Sequence, residues 1–275
     1  MTQPMDDRAL EAFFARDDKL LLEDNAWPQA HEALLAALEA GRLRAARRDD
    51  SGTWRAVPWV KRAIVTGFRR SPLQRIDAEP WPFFDKPAYP ARRFAEQDRV
   101  RLVPGGSSVR RGAYVAAGVV IMPPAYVNVG AFIDAGTMVD SHALVGSCAQ
   151  IGKDVHLSAG AQIGGVLEPA NASPVVIEDG AFVGGLCGVF EGVVVRERAV
   201  LAAGVVLTAA TAVHDLVHGR EVRGEVPAGA VVVPGARPAP GDYAAKRGLQ
   251  VATALIVKYR DARTDAATAL ESALR

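Results

Sequence analysis

The residues able to do chemistry are few and thinly spread. Asp140 and His142 stand two positions apart, and a neutral imidazole is suited to taking a proton near pH 7. An aspartate there, taken alone, reads as an ordinary turn residue like Asp134. Arg101, Lys246 and Arg247 read by themselves as surface charges. The two cysteines, Cys148 and Cys187, cannot make a disulfide framework. These residues acquire meaning only from the elements that position them.

Those elements announce themselves by period. From Val103 to Ile163 an aliphatic residue recurs at every sixth position, and the rhythm resumes at Ile177, Val183, Val189, Val195, Leu201, Leu207 and Val213, then at Val226 and Val232. A period of six suits neither an amphipathic helix nor a simple alternating strand, so the chain is read as a solenoid of hexapeptides. Each unit supplies one short flat strand with its aliphatic residue inward. The small residue two places earlier, as at Ala113, Ala131, Ala149 and Ala181, fits a corner. Three units close one coil of a narrow triangular prism, and about six coils stacked roughly 4.8 Å apart make a column on the order of 30 Å long. Cys187 falls on one of the small inward corners, where packing accounts for it better than reactivity.

Three parts are expected: an α-rich segment 1–100, the β-solenoid 101–235 and a C-terminal extension 236–275. In the first, helical patterns cover 5–16 and 28–40, the second ending near Gly41, and a hairpin follows over 43–48 and 53–57. A helix over 59–68 precedes an irregular proline-rich link, 72–90. The extension is read as a strand over 251–259 and a final helix over 264–274. The repeat breaks twice. Between Ile163 and Ile177 the spacing is fourteen, so about eight extra residues within 164–174 must leave the prism as a loop, and a second excursion runs from His214 to Glu225. Loops projecting from a rigid wall commonly shape binding sites.

Composition points to an ordinary soluble protein. With 275 residues, 49% of them hydrophobic, and 32 basic against 31 acidic side chains, nothing suggests a nucleic-acid or membrane partner. No apolar run is long enough to span a bilayer and no export signal opens the chain, so a cytoplasmic location is expected.

The strings Pro123–Ala131, Asp134–Asp140, Val145–Lys153 and Gly164-Gly165-Val166-Leu167-Glu168-Pro169 resemble the tetrahydrodipicolinate N-succinyltransferase family of the diaminopimelate and lysine pathway. So do Trp59-Val60-Lys61-Arg62-Ala63, Phe84-Asp85-Lys86, Val226–Val233 and Ile256-Val257-Lys258, so that nearly the whole chain takes part. The resemblance implies a mainly β fold, a left-handed parallel β-helix that trimerises, with active sites in clefts between neighbouring prisms. It implies succinyl-CoA as acyl donor and co-substrate, no tightly bound cofactor and no metal. The acceptor would be the amino nitrogen of a ring-opened amino dicarboxylate, hydrated tetrahydrodipicolinate.

Residue roles follow from the same match. Asp140 aligns with the family's acceptor-site aspartate and would hold the ammonium and take its proton, with His142 as a candidate to assume that duty. Arg101 would clamp an acceptor carboxylate, and Gly165 and Glu168 belong to the acceptor-side loop. Gly185, Ala203, Gly204 and Lys258 are placed on the coenzyme side, with exposed turn backbone and a cation for the phosphates. The chain also departs from the pattern. After Phe182-Val183-Gly184 the family typically carries Ala-Arg-Ser-Glu, whereas this chain reads Gly185-Leu186-Cys187-Gly188, so one cation and one carboxylate are gone together. Ser141-His142 replaces a usual Thr-Trp, and Ala252-Thr253 a usual Tyr-Cys. A second reading follows: a paralogue of a specialised, tabtoxin-like β-lactam pathway that acylates a related amino acid from acetyl-CoA.

Two rivals come from other classes. A zinc carbonic anhydrase also uses this solenoid and needs three converging histidines; His142, His156, His214 and His218 are available, but their spacing is not of that kind. A purely structural scaffold would need neither the 164–174 loop nor the acyltransferase-like strings.

Overall fold

A computed structural model describes residues 5–77, 80–261 and 263. The hexapeptides form two-residue strands, each ending on its aliphatic residue, and stack as three parallel walls. Two walls have six strands; we name them the Tyr126 wall and the Phe132 wall after outward residues. The third, the long wall, has ten strands because the C-terminal strands extend it. Each strand pairs with the one eighteen residues on, as Phe132 with Gln150 and Met138 with His156. The inward aliphatics from Val109 to Leu207 and the corner alanines form one continuous buried core. Two-residue strands leave little backbone per rung, so the fold depends on this repeated burial rather than on any one strand.

The first coil departs from the period. Leu102, not Val103, pairs with Ile121, and Val100 packs against the core in its place. The end departs too. The chain leaves the prism after Val206–Leu207 and returns at Glu225–Val226, so the second excursion starts earlier than expected. Val213 therefore opens a hairpin, 213–215 against 220–222, which docks on the C-terminal strand Gln250–Tyr259. Val226 takes the wall position that the period would have given to Val213, since it pairs with Val195.

The N-terminal part contains α1 (Asp7–Phe14), α2 (Asp18–Glu23), α3 (Trp27–Glu39) and α4 (Pro58–Arg70), with a hairpin, 46–48 against 54–56, between the last two. Asp6 and Asp17 cap the first two helices through their side chains. The sequence pattern missed α2, whose six residues are too few to show a period. Gly41 follows α3 with φ 71°, and a Cβ there would lie 2.9 Å from the Tyr114 ring, so both backbone and space require glycine. The helices cover the prism edge that carries Val129 and Cys148, both buried in the helical cluster.

Two links proved to be ordered. The 72–90 stretch holds a short hairpin, 74–76 against 83–85, rather than irregular chain throughout. Strand Ala230–Pro238 runs beyond the prism and pairs antiparallel with Gln250–Tyr259, with α5 (Asp242–Arg247) between them. The expected final helix, 264–274, lies outside the described residues. No helix among the described residues is long and apolar enough to cross a membrane.

Candidate active site

The prism sets the site by its edges. Where the long wall turns into the Tyr126 wall, successive coils place Asp140-Ser141-His142, Ser158-Ala159-Gly160, Gly184-Gly185-Leu186 and Ala202-Ala203-Gly204 one above another. Backbone rungs tie the stack: Gly160 N–H donates to Ser141, Leu186 N–H to Ala159, and Gly204 N–H to Gly185. The Gly204 N–H is thereby used in the fold, while Gly185 and Ala203 take no donor part in these rungs. Ala203 and Gly204 are exposed and Gly185 half-buried.

Asp140 is half-buried. Its Oδ1 accepts from the Ser141 N–H at 2.7 Å, which leaves Oδ2 directed toward the wall. There the His156 Nε2 lies 3.9 Å away. His156 is held edge-on to Phe182 with ring centroids 5.0 Å apart. The sequence reading passed over His156 except as a metal ligand. The signal was present in the coil length: Met138 and His156 are paired, so Asp140, two residues past Met138, lies beside His156. His142 is exposed, and its hydrogen bonds run through its backbone, from its N–H to Pro124 and from Gln162 to its carbonyl. His142 and Leu186 both adopt left-handed φ, 62° and 58°, at positions where the coils between and beyond them use Gly160 and Gly204. Cys148, Asp154, Glu191 and Arg198 adopt the same backbone at other turns, so it belongs to the corner geometry of the prism rather than to this edge alone.

Arg101 begins the long wall, exposed, two strands before Met138. Lys258 lies on the same wall at its other end, opposite Val231, and pairs with Asp261 at 3.3 Å. One wall and its edge thus carry Arg101, Asp140, His142, Gly185, Ala203, Gly204 and Lys258, with Arg101 and Lys258 near opposite ends of the column. Gly165 and Glu168 are elsewhere. They belong to the 164–174 loop, which leaves the far side of the Tyr126 wall and overhangs a cleft of about 660 Å³ with Phe190, Glu191 and Thr208.

The loop is built in. A Cβ on Gly146 would lie 2.2 Å from the Gly165 nitrogen, so the loop starts with backbone laid directly on backbone. It is then fastened from above by Lys61 of α4, fully buried, whose ammonium donates to the carbonyls of Pro169 at 3.0 Å and Ala172 at 2.6 Å. Burial draws that ammonium below its ordinary pKa, and the nearby Cys148 only partly offsets this. Glu168 is exposed and reaches Arg69 at 3.5 Å. The Phe190 ring lies over two glycines: a Cβ on Gly188 would meet it at 2.5 Å and one on Gly164 at 2.7 Å. Gly188 is where the family resemblance anticipates a glutamate, and in this chain that space belongs to an aromatic ring. Leu186, at the other altered position, is 76% exposed. Cys187 is buried and its Sγ donates to the Ala202 carbonyl, in keeping with packing. No group of three or more His, Cys, Asp or Glu among the described residues of one chain is disposed to hold a metal ion.

Comparison with known proteins agrees with this architecture. Residues 7–69 match the family model "Tetrahydrodipicolinate N-succinyltransferase N-terminal", and residues 174–209 match "Hexapeptide repeat of succinyl-transferase". The chain is 46% identical over 254 residues to the 2,3,4,5-tetrahydropyridine-2,6-dicarboxylate N-succinyltransferase of Bordetella petrii, covering 90% of this chain and 89% of that one. Proteins of the same name from Azoarcus and Rhodopseudomonas palustris are 48% and 46% identical, over 88% and 96% of this chain and 87% and 95% of theirs. In fold it resembles the crystal structure of a Campylobacter jejuni protein described as a 2,3,4,5-tetrahydropyridine-2-carboxylate N-succinyltransferase, with TM-score 0.53 and 17% identity, covering 83% of this chain and 62% of that one. Prism, overhanging loop and helical cap define a hexapeptide-repeat left-handed β-helix. Given the extent of the likeness, the chain belongs to the tetrahydrodipicolinate N-succinyltransferase family.

Proposed function

We propose that the protein transfers the succinyl group of succinyl-CoA to the amino nitrogen of ring-opened 2,3,4,5-tetrahydropyridine-2,6-dicarboxylate. The observation that carries this is identity of 44–48% over 88–96% of the chain with proteins of that name. In this reading Asp140 holds the acceptor ammonium and takes its proton, and Arg101 binds an acceptor carboxylate. Donors along the Gly185–Ala203 stack receive the thioester oxygen, and Lys258 meets the phosphates of the coenzyme. A carboxylate is a weak base for an alkylammonium: their reference values differ by about six pK units, roughly 8 kcal/mol, so the transfer must be coupled to attack on the thioester or to a further acceptor of the proton.

The working unit is a homotrimer. Asp140 and the 164–174 loop sit on different edges of one prism, so a site that uses both needs the edge of one chain against the loop of the next. Repeated head to tail, such a contact closes as a ring of three. Light scattering that returned a monomer at working concentration would overturn this arrangement.

A second reading has one specific observation in its favour. Phe190 fills the space over Gly188 in the loop cleft, and Leu186 on the Asp140 edge is exposed, so the two altered positions present apolar surface where the resemblance anticipates a carboxylate and a cation. A site rebuilt in that way suits a related amino acid, or acetyl-CoA as donor. Free CoA release, measured for succinyl-CoA and acetyl-CoA against the dicarboxylate and against L-2-aminopimelate, separates the two. Turnover confined to succinyl-CoA with the dicarboxylate supports the first reading. Turnover confined to another pair moves the assignment to the second, and none with any pair overturns both.

A further inference from the structure

The Asp140 carboxylate has an imidazole behind it. His156 Nε2 lies 3.9 Å from Oδ2, too far for a hydrogen bond in this state and close enough that a small change of the Asp140 rotamer makes one. The imidazole is itself held in place: strand His156–Leu157 is paired on both sides, and the ring stands edge-on against Phe182. Its side chain is 13% exposed and that of Asp140 31%, so the carboxylate lies between the imidazole and the open edge of the prism. On the neighbouring strands His156 faces Met138 on one side and Phe182 on the other, both uncharged, and Asp140 follows at the end of the Met138 strand; Lys153 and Asp154 belong to the preceding turn and are exposed.

We propose that His156 is a positioning residue that acts through Asp140 and takes up the proton the acceptor amine gives to that carboxylate. This rests on the reading of Asp140 as the acceptor-site base. An imidazole is a stronger base than a carboxylate, and an imidazolium beside a carboxylate is stabilised by its charge, so a proton passed inward comes to rest on a better acceptor. The ammonium loses one proton through Asp140 to His156, and the freed nitrogen pair attacks the thioester carbonyl carbon. A C–N bond forms, the C–S bond breaks, and the second proton lost by nitrogen ends on the departing coenzyme sulfur. His156 later returns its proton to water. The sum is ammonium plus thioester giving amide, free thiol and one proton.

The test compares wild type with His156→Asn, His156→Phe and Asp140→Asn, following CoA release at saturating substrates from about pH 6 to about pH 9. The expected result for both His156 variants is a kcat lower by roughly 10²-fold near pH 7, with the acceptor KM within about threefold of wild type. The deficit should shrink as pH rises and the acceptor amine becomes free in solution. A loss of equal size at every pH, or a profile of wild-type shape, overturns the proposal. A fully active Asp140→Asn enzyme instead removes the reading of Asp140, whereas an inactive Asp140→Asn beside two wild-type-like His156 variants removes only the present inference. Should neither His156 variant fold, the His156 ring resonances of the otherwise intact protein decide. Their titration midpoint should fall when Asp140 is replaced by Asn, and an unmoved midpoint overturns the coupling.

Discussion

Two excursions leave the prism, and a buried charge fastens each, but the charges are opposite and so are their surroundings. The 164–174 loop is held by the Lys61 ammonium, which meets two neutral carbonyls. The 213–222 hairpin is held by Asp215, whose side chain is 0% exposed and accepts from Tyr259 Oη at 2.7 Å, His218 Nδ1 at 2.7 Å and Arg220 Nε at 3.2 Å. Lys61 therefore keeps an uncompensated charge in the interior, and burial weakens its hold on its proton. For Asp215 burial acts against the charge too, but the hydrogen bonds from Tyr259, His218 and Arg220 outweigh it and hold the carboxyl far below the ordinary range. The loop is fastened by donors that happen to be charged, whereas the hairpin is fastened by the charge itself.

The largest effect should follow from cutting the first fastening. Lys61→Ala leaves a cavity and two unpaired carbonyls, for a cost of roughly 3 kcal/mol measured by denaturant unfolding, and it should lower kcat/KM for the acceptor by tenfold or more on the order of what loop release costs. Lys61→Met sharpens the point. It restores most of the packing and removes the buried charge but leaves both carbonyls unpaired, so stability should return in part while the acceptor defect persists. Recovery of both together would mean that the loop is not held by this ammonium.

Asp215→Asn should come next, at about 1–3 kcal/mol, because the amide cannot accept from three donors as a carboxylate does. Its functional trace should differ in kind. Tyr259 lies next to Lys258 on the terminal strand, so the KM for acyl-CoA should rise a few-fold with the acceptor KM little changed. A variant that disturbed the acceptor side instead would erase the distinction between the two excursions.

How much of this was legible beforehand depended on whether a feature repeats. The prism could be read from Val109 to Leu207 because every coil restates the same burial, and the interruption at 164–174 showed as a break in that count. Val103 and Val213 misled for the same reason: they continue the period by chance at the two ends, where no further coil enforces the register. Lys61 was noticed only as part of a string. Its partners are 108 and 111 residues away, and nothing in a local pattern says that an ammonium on a helix will end against a loop of the solenoid. The proximity of His156 to Asp140 was within reach, since a coil of eighteen residues puts positions sixteen apart on adjoining rungs.

Acid should distinguish the fastenings with a smaller effect. A carboxyl held below its ordinary value adds stability that is complete above about pH 4, where the unfolded chain titrates, and that is lost as pH falls through the folded value. An ammonium held below its ordinary value behaves otherwise: its burial penalty is in full force throughout acid and is relieved only as pH climbs toward about 10. Below about pH 4, hydrogen exchange should therefore quicken at Val213 and Asp215 before it quickens at Val166 and Ala172, whose N–H groups are bonded within and beneath the loop. Simultaneous release would show that acid opens the molecule as a whole.

The smallest and most local effect concerns the two thiols. Cys148 is fully buried under the helical cluster close to Lys61, and burial pushes its thiol up to about 12 against the attraction of the ammonium. Cys187 is equally buried, in a corner below the Asp140 edge, and burial raises it as well. Near pH 8 neither should react with iodoacetamide in the native protein, because the nucleophile is the thiolate and each must first be exposed by an opening of its surroundings. Lys61→Met removes the favourable charge beside Cys148 but also loosens the loop and α4 above it. If the loop and helix open together as one local unit, modification of Cys148 should quicken several-fold while that of Cys187 stays at the wild-type rate. Equal quickening at both thiols would mean that the substitution acts on global stability, and the contrast between a locally fastened loop and the rigid prism beneath it would have to be given up.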